Sequence, residues 1–425
     1  MTQQPVPTIG ESYSHIAKYY DTILNKDKKL VKTTNDEPTP MACVDEMIAK
    51  VPEDFWKNPE HRILDPCCGC GNFPLAIYYK LRSYHTKEHI LSNMLFFNDT
   101  NSDRLDVLRT VFNSSLLTIT AQDFLQYPDD KHFDLIVANP PYAKLLPNGK
   151  RASKNHNLIG CFIEKSFQLL NPGGLLLYIT PDNWMSIADR NHLITELTQK
   201  QILYLNIHIA KKYFKKVGSS FVYYLIENKP HYKDITIEGI WKKKLYKDSV
   251  KSETRRFIPL FYNRTIQSVL HKTIDDTSME KFNVQTSSDL HKYTKKQFIV
   301  ATEDDQHPYK LIHTPKQTVW SSRPHKFQKG YKVFLSTTSY YGTFVDNCGM
   351  TQSIAFIQCS SKKEAERISS ILQHPMYKFL NDICRYGNFN NIRILQRFPK
   401  CTSHDSVYDE CGITPEEQEF IESHV

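Results

Sequence analysis

Arg62-Ile63-Leu64-Asp65-Pro66-Cys67-Cys68-Gly69-Cys70-Gly71 is the stretch on which the architecture turns. A short apolar run enters a glycine-containing loop, and apolar residues resume at helical spacing over 75–81. Glycines let the backbone approach a ligand closely, and the start of the following helix offers free N–H groups. The same shape serves nucleotides in general, so alone it specifies only a strand, a loop and a helix. Outward from it the pattern repeats. A second strand is predicted over 94–97, a helix over 102–112, a third strand over 117–120 and a fourth over 133–138. A helix over 162–170 stops at the turn signal Asn171-Pro172-Gly173-Gly174, and strands follow over 175–180 and 221–226. Nearly continuous apolar strands separated by helices predict an α/β fold, with a mostly parallel sheet covered on both faces.

Beyond Lys229 the pattern weakens. Residues 235–316 mix basic and polar residues without a clean period. Strand-like runs then appear over 331–337 and 353–357, a helix over 363–372, a strong apolar segment over 376–383, and a Gly- and Asn-rich loop over 385–391. Three parts are therefore expected: a first domain over 1–230 with residues 1–30 as an N-terminal helical extension, a second over 231–400, and a tail over 401–425.

Composition bounds the partners. An apolar fraction of 40% and an aromatic fraction of 12% can fill two ordinary cores in 425 residues. No apolar run approaches bilayer length and the N-terminus lacks signal-peptide order, so a soluble protein inside the cell is expected, with no membrane partner. The ten cysteines form no even framework and read as free thiols. Cys67, Cys68 and Cys70 cluster without a second ligand pair, so no metal is expected. Residues 1–230 carry 26 Lys+Arg against 24 Asp+Glu, 231–400 carry 28 against 15, and 401–425 carry none against seven. A net +13 in the second part suggests a polyanion there, although a solvated basic surface would give the same count.

The chemistry-bearing residues stand where predicted strands end. Asp99 closes the second strand, where a carboxylate can accept both hydroxyls of a ribose; the plainer alternative is a helix cap. Asp123-Phe124 follows the third, where an acid can accept from an adenine amine while the ring packs the base; the alternative is a turn. Asn139-Pro140-Pro141-Tyr142 follows the fourth. Two prolines after Asn make an extended, stiff loop that can aim an amide oxygen and a backbone carbonyl at one place. Two acceptors are what an exocyclic amine with two hydrogens requires. Engaging both hydrogens turns the nitrogen lone pair out of conjugation and toward an electrophilic methyl group, with the rate gain coming from positioning and fixed dipoles. Tyr142 offers a flat face for a base that has left its stack.

Taken in order, these elements resemble the gamma class of amino-methyltransferases, and within it the M.TaqI-like adenine-specific DNA methyltransferases of the type II modification family. The resemblance runs over most of the chain from near residue 30. It implies an α/β, Rossmann-like methyltransferase domain with a mostly parallel sheet, and a C-terminal mixed α+β target-recognition domain. It implies S-adenosyl-L-methionine as cofactor, with Thr39 (before a helix starting near Ala42) at its methionine part, Asp65, Pro66, Cys67, Gly69 and Gly71 in the glycine loop, and Asp99, Asp123 and Phe124 at ribose and adenine. It implies Asn139, Pro140 and Tyr142 as the catalytic loop, with Phe214 of Tyr213-Phe214-Lys215-Lys216-Val217 as a second aromatic against a flipped adenine. The stretch from Asn157 to Lys165, then Asn171 to Gly174, is similar to the family's helix-and-strand continuation. Ile371 to Met376 and Arg393 to Pro399 are similar to the tail of its recognition domain. Between them Arg385, Asn388, Phe389 and Asn390 are expected at DNA, as are Tyr340 and Tyr341 of the 336–341 loop. Asn388 stands where a wedge-like proline would be expected, which leaves Phe389 to fill the gap behind an extruded base.

The implied activity is site-specific transfer of a methyl group to the N6 amine of a flipped-out adenine in double-stranded DNA. Such an enzyme is the modification part of a restriction-modification system, with a separate cognate restriction endonuclease as partner, or an orphan methylase. A monomer is expected, cytoplasmic with the DNA, or in the nucleus or a viral factory if the source is eukaryotic or viral. Related tetrapeptides occur in methyltransferases for RNA bases and for protein glutamine, and the basic second part weighs toward nucleic acid. A catalytically inert DNA-binding module is the remaining alternative. The stretch 235–316 aligns with nothing, so the target sequence is not legible.

Overall fold

The computed structural model describes residues 5–31, 37–142, 158–189, 191–215, 218, 220–338 and 340–425. Asn157, Lys216, Val217 and position 339 of the 336–341 loop lie outside the described residues. The chain forms two compact units, one of residues 1–182 and 192–255, the other of residues 183–191 and 256–425.

The first unit is built on a nine-stranded sheet: β1 (Ile63–Asp65), β2 (Leu95–Asn98), β3 (Thr118–Thr120), β4 (Phe133–Ala138), β5 (Leu170–Pro181), β6 (Gln201–Ile207), β7 (Phe221–Glu227), β8 (Ile235–Trp241) and β9 (Lys244–Val250). Their order is β3-β2-β1-β4-β5-β7-β6-β8-β9. The first five strands pair in parallel, β7 runs antiparallel between β5 and β6, and β8 is parallel to β6. β1, β2 and β7 are buried along their whole length, as strands covered on both faces must be. The helix Ser102–Phe112 and β4 keep the bounds read from sequence. Asn101 starts that helix by accepting from Asp103 N and Arg104 N, and Asn113 ends it at φ 40°.

Three differences have physical causes. Asn171-Pro172-Gly173-Gly174 is a kink inside β5: Leu170 pairs with Phe133, the register shifts, and Leu175 pairs with Leu135. Gly173 takes φ 79° there, and a Cβ on Gly174 would lie 3.0 Å from Asn171 O. β6 escapes apolar patterning because it buries Gln201 and Asn206, whose amides bind backbone at Lys233 and Ala210. β8 and β9 lie past residue 230, so the first unit runs on to Arg255, whose N–H donates to Thr198 Oγ1 at 2.9 Å. The N-terminal segment is no appendage. Ile16 and Tyr20 of the helix Tyr13–Thr22 are fully buried, and Tyr20 OH donates to Cys70 O at 2.7 Å.

The second unit mixes helices with two four-stranded sheets. One orders Gln285–Thr286, Ile354–Gln358, Lys332–Ser336 and Thr343–Asp346, antiparallel throughout. The other orders Ile299–Val300, Gln317–Ser321, Tyr309–Thr314 and Gly349–Met350. Segment 376–383 is helical, within Pro375–Ile383. Four of the seven acidic residues after 400 lie in the helix Pro415–Ser423, opened by a Thr414/Glu417 capping box and tied by a 2.6 Å Lys272–Glu417 ion pair. Trp184 and Met185 belong to this unit, where Met185 O accepts from Ile258 N. No helix among the described residues is long and apolar enough to cross a membrane.

Asn390 joins the two loops of this unit that sequence singles out. Its N–H donates to Thr337 O at 3.0 Å and its Nδ2 to Ser336 O at 2.8 Å, while its Oδ1 accepts from Asn381 at 3.1 Å. Asn390→Ala leaves buried partners unmet and is expected to cost about 2–3 kcal/mol. Urea denaturation followed by fluorescence of Trp184 and Trp320, the second unit's two tryptophans, should show it; an unchanged midpoint would remove this role.

Candidate active site at the carboxyl edge of the sheet

Because β1 to β4 are parallel, Asp65, Asn98-Asp99 and Asn139 all arrive at one edge, and the chain order reverses between β1 and β4. Ligands bind in the crevice outside such an edge, at the reversal. A cleft of about 340 Å³ opens there, within the range that holds cofactors. Thr39, Asp65, Pro66, Cys67, Gly69, Asp99, Asp123, Phe124 and Asn139 line it. Gly71, Pro140, Tyr142 and Phe214 are not on its wall. Gly71, at φ 96°, serves packing: a Cβ there would sit 3.1 Å from Leu108 Cδ1 of the helix Ser102–Phe112. Gly69, at φ 55°, faces open space.

The residues that hold this edge together were not singled out from sequence. Asn98, 1% exposed, donates through Nδ2 to Pro66 O at 2.9 Å and Gln122 O at 3.0 Å, and accepts from Thr120 Oγ1 at 2.8 Å. Asn72 Nδ2 donates to Thr39 O and Asn25 Oδ1, tying the N-terminal segment to the glycine loop. Leu24, Asn25, Val31 and Arg104 complete that wall, and Phe162 packs on Phe124 with centroids 5.1 Å apart. The available signal was a polar residue closing an apolar run, as Asn98 closes β2.

Asp99 accepts from Gly69 N and Asn101 N, both at 2.8 Å, so one carboxylate fixes the loop after β1 and the turn after β2. Asp123 caps a short turn by accepting from Leu125 N at 3.0 Å. Asp65 is buried, and burial pushes its carboxyl well above the usual carboxylate range; Asp99 adds to the rise, and the Cys67 N–H opposes it. Thr39 Oγ1 is buried on the cleft wall without a hydrogen-bond partner among the described residues. A buried acid held at a cost and an unmet hydroxyl face one cleft, which suits a ligand carrying a cation and polar groups.

Asn139 Nδ2 donates to Glu37 O at 3.0 Å, and its Oδ1 accepts from Tyr142 OH. Tyr142 packs on Phe221 at 6.0 Å, and Phe214, 2% exposed, packs on Phe221 at 4.5 Å. Phe214 thus reaches the Asn139–Tyr142 loop through Phe221, which sequence reading did not single out as a site residue. Further along the same edge Asp182 pairs with His208 at 2.6 Å, with His208 in the left-handed region at φ 68°.

Of the residues expected at DNA, Tyr340 (84% exposed) and Phe389 (64%) are open to solvent, and Asn388 is exposed. The Arg385 guanidinium lies 5.2 Å from the Tyr340 ring centroid and donates to Asn388 O at 3.3 Å. Tyr341 and Asn390 turn inward instead. Tyr341 OH donates to Leu372 O at 2.8 Å and its ring meets Phe398, while Asn390 is 3% exposed and committed to the loop contacts above. Among the described residues no group of three or more His, Cys, Asp or Glu could hold a metal ion.

The family profile described as Eco57I restriction-modification methylase matches residues 74–214. The type II methyltransferase M.TthHB8I of Thermus thermophilus is 30% identical over 123 residues, covering 25% of this chain and 25% of that enzyme. A release factor glutamine methyltransferase of Clostridium botulinum is 26% identical over 186 residues, 37% of this chain and 59% of that one. The chain covers less than two thirds of either relative. A nuclease-deletion mutant of the Type ISP restriction-modification enzyme LlaGI, solved with a DNA substrate mimic, superposes with TM-score 0.59 at 11% identity, over 97% of this chain and 56% of that one, and so shares the fold. Residues 74–214 are thus similar to methylase domains of the restriction-modification kind, a class whose methyl donor is S-adenosyl-L-methionine.

Proposed function

We propose that the protein is a site-specific DNA adenine methyltransferase, acting on the N6 amine of an adenine swung out of the duplex. The observation that carries this reading is the arrival of Asn139 at the wall of a cofactor-sized cleft, on the edge where β1 and β4 diverge. The residues present fit the donor: Thr39 has a hydroxyl to give, Asp65 and Asp99 offer carboxylates, and Phe124 with Phe162 makes an apolar slot for a purine. S-adenosyl-L-methionine supplies an electrophilic methyl group when bound. Asn139 Oδ1 and the Pro140 carbonyl accept the two amine hydrogens, which frees the nitrogen lone pair for in-line attack. The incoming amine takes the place of the Tyr142 hydroxyl at Asn139, and the Tyr142 ring stacks on the base. The face made by exposed Tyr340 and Phe389, with half-buried Arg385 against the Tyr340 ring, suits duplex DNA. A monomeric methylase working beside a separate endonuclease for the same sequence completes the reading.

The second reading keeps the chemistry and changes the acceptor, since a glutamine methyltransferase is among the relatives. Competition for labelled methyl between duplex DNA, RNA and protein acceptors separates the two. Label recovered as N6-methyladenine in DNA supports the first, and label only in RNA or in protein glutamine replaces it.

Asn139→Ala is expected to lower methyl transfer about 10²–10³-fold while leaving cofactor affinity within a few-fold. A matching loss of affinity in a folded variant would assign Asn139 to binding. Asp99→Ala should weaken cofactor binding roughly tenfold or more, through the lost charge-assisted bonds; an unchanged dissociation constant by calorimetry would refute that role. Asp65→Asn separates stability from function. An acid with a raised native pKa holds a proton that the unfolded chain has already released, so stability falls as pH rises from the ordinary carboxylate range through the raised native value. The variant should therefore melt higher than the wild type above about pH 5 without cofactor, while binding the cofactor less tightly. Equal melting temperatures at pH 7 would show that the buried acid carries no such cost.

A further inference from the structure

β7 is antiparallel to both β5 and β6, and β8 is parallel to β6, so β8 runs the same way as β4. Its carboxyl end, Trp241, therefore reaches the edge that carries the catalytic loop. There the chain turns through Lys242 and Lys243 into β9, with Trp241 paired to Lys244. Both turn residues are left-handed, at φ 44° and 69°, which is the two-residue hairpin geometry that Asn-Gly adopts without strain. Lysine adopts it at a conformational cost. Lys242, Lys243 and Lys244 are exposed, and Leu245 beside them is 72% exposed. At the hairpin base Glu238 already serves Lys50 and Lys247, at 3.1 and 2.9 Å.

Lysines on an edge strand commonly guard against sheet extension, and that accounts for Lys244 and Lys247 along β9. It does not account for lysines at two strained turn positions beyond the ladder. Such positions project charge outward from the sheet edge.

We propose that the tip Lys242-Lys243-Lys244 is a phosphate-contacting surface for duplex DNA, gripping the backbone on one flank of the target base. The inference rests on the DNA reading above and adds a contact within the first unit. Four strand intervals separate β8 from β4, about 19 Å at the usual spacing, or roughly six base pairs of flanking duplex at 3.4 Å each.

The test uses the full-length protein, a mixed-sequence duplex and fluorescence anisotropy over a salt series. The variant K242N/K243G installs the relaxed turn, so it should melt no lower than the wild type and bind S-adenosyl-L-methionine equally well. Its slope of log affinity against log salt should be shallower by about two, with DNA affinity down about tenfold or more at low salt. The variant K242R/K243R should keep the wild-type slope. A K242N/K243G slope equal to wild type overturns the hairpin contact while leaving the DNA reading intact. A wild-type protein with no salt-dependent DNA binding overturns both.

Discussion

Asn98 gives amide hydrogens to Pro66 O and Gln122 O and takes one from Thr120 Oγ1, at the point where β2 ends. Those partners belong to the loops after β1 and β3 and to the end of β3 itself, so one buried carboxamide sets the spacing of three strand ends. The backbone adds to it: Cys68 N donates to Asn98 O at 2.9 Å. Every polar atom of that side chain is satisfied, which makes a buried polar group specify a geometry rather than weaken the core. The cleft wall formed by Asp65, Asp99 and Asp123 depends on this arrangement, because each stands at or just beyond one of the strand ends it ties.

The cleft departs from what stability alone would select. Asp65 is buried beside a second acid, and Thr39 keeps an unmet hydroxyl. Local rules of burial and pairing are broken here while the surrounding sheet obeys them, the pattern expected where a ligand supplies the missing partners. The N-terminal segment is drawn into the same compromise. Tyr20, Asn25 and the Thr39 carbonyl all bond to the glycine loop or the helix after it, so a segment expected as an extension is a structural wall of the cleft.

Legibility followed burial. β4 and the helix Ser102–Phe112 were readable to the residue, because a strand buried at all but Asp134 and a capped amphipathic helix leave clear patterns. β6 was not, because its buried Gln201 and Asn206 look like loop residues until their backbone partners are known. β8 and β9 form a half-exposed hairpin at the sheet edge, where the mixture of basic and polar residues shows no clean period. Candidate residues at strand ends were legible because topology alone brings them together: nine expected residues line one cleft. Side-chain direction was not legible. Tyr340 points out while Tyr341 points in, and Asn390 is spent on the loops it joins, since adjacent residues on an irregular loop face opposite ways for reasons no spacing records.

The orientation of Asn139 shows how far the geometry of the candidate site extends beyond its own loop. An amide can present either end to a neighbour, and the hydrogen-bond network decides which. Glu37 O can only accept, so it draws Nδ2 toward itself and leaves Oδ1 facing the Tyr142 hydroxyl. The reverse orientation would set two acceptors against each other at Glu37. A backbone carbonyl a hundred residues upstream thus determines that the outward atom of Asn139 is an acceptor, the atom an amine needs. The stiff prolines fix where the side chain stands, and the N-terminal segment fixes which way it faces.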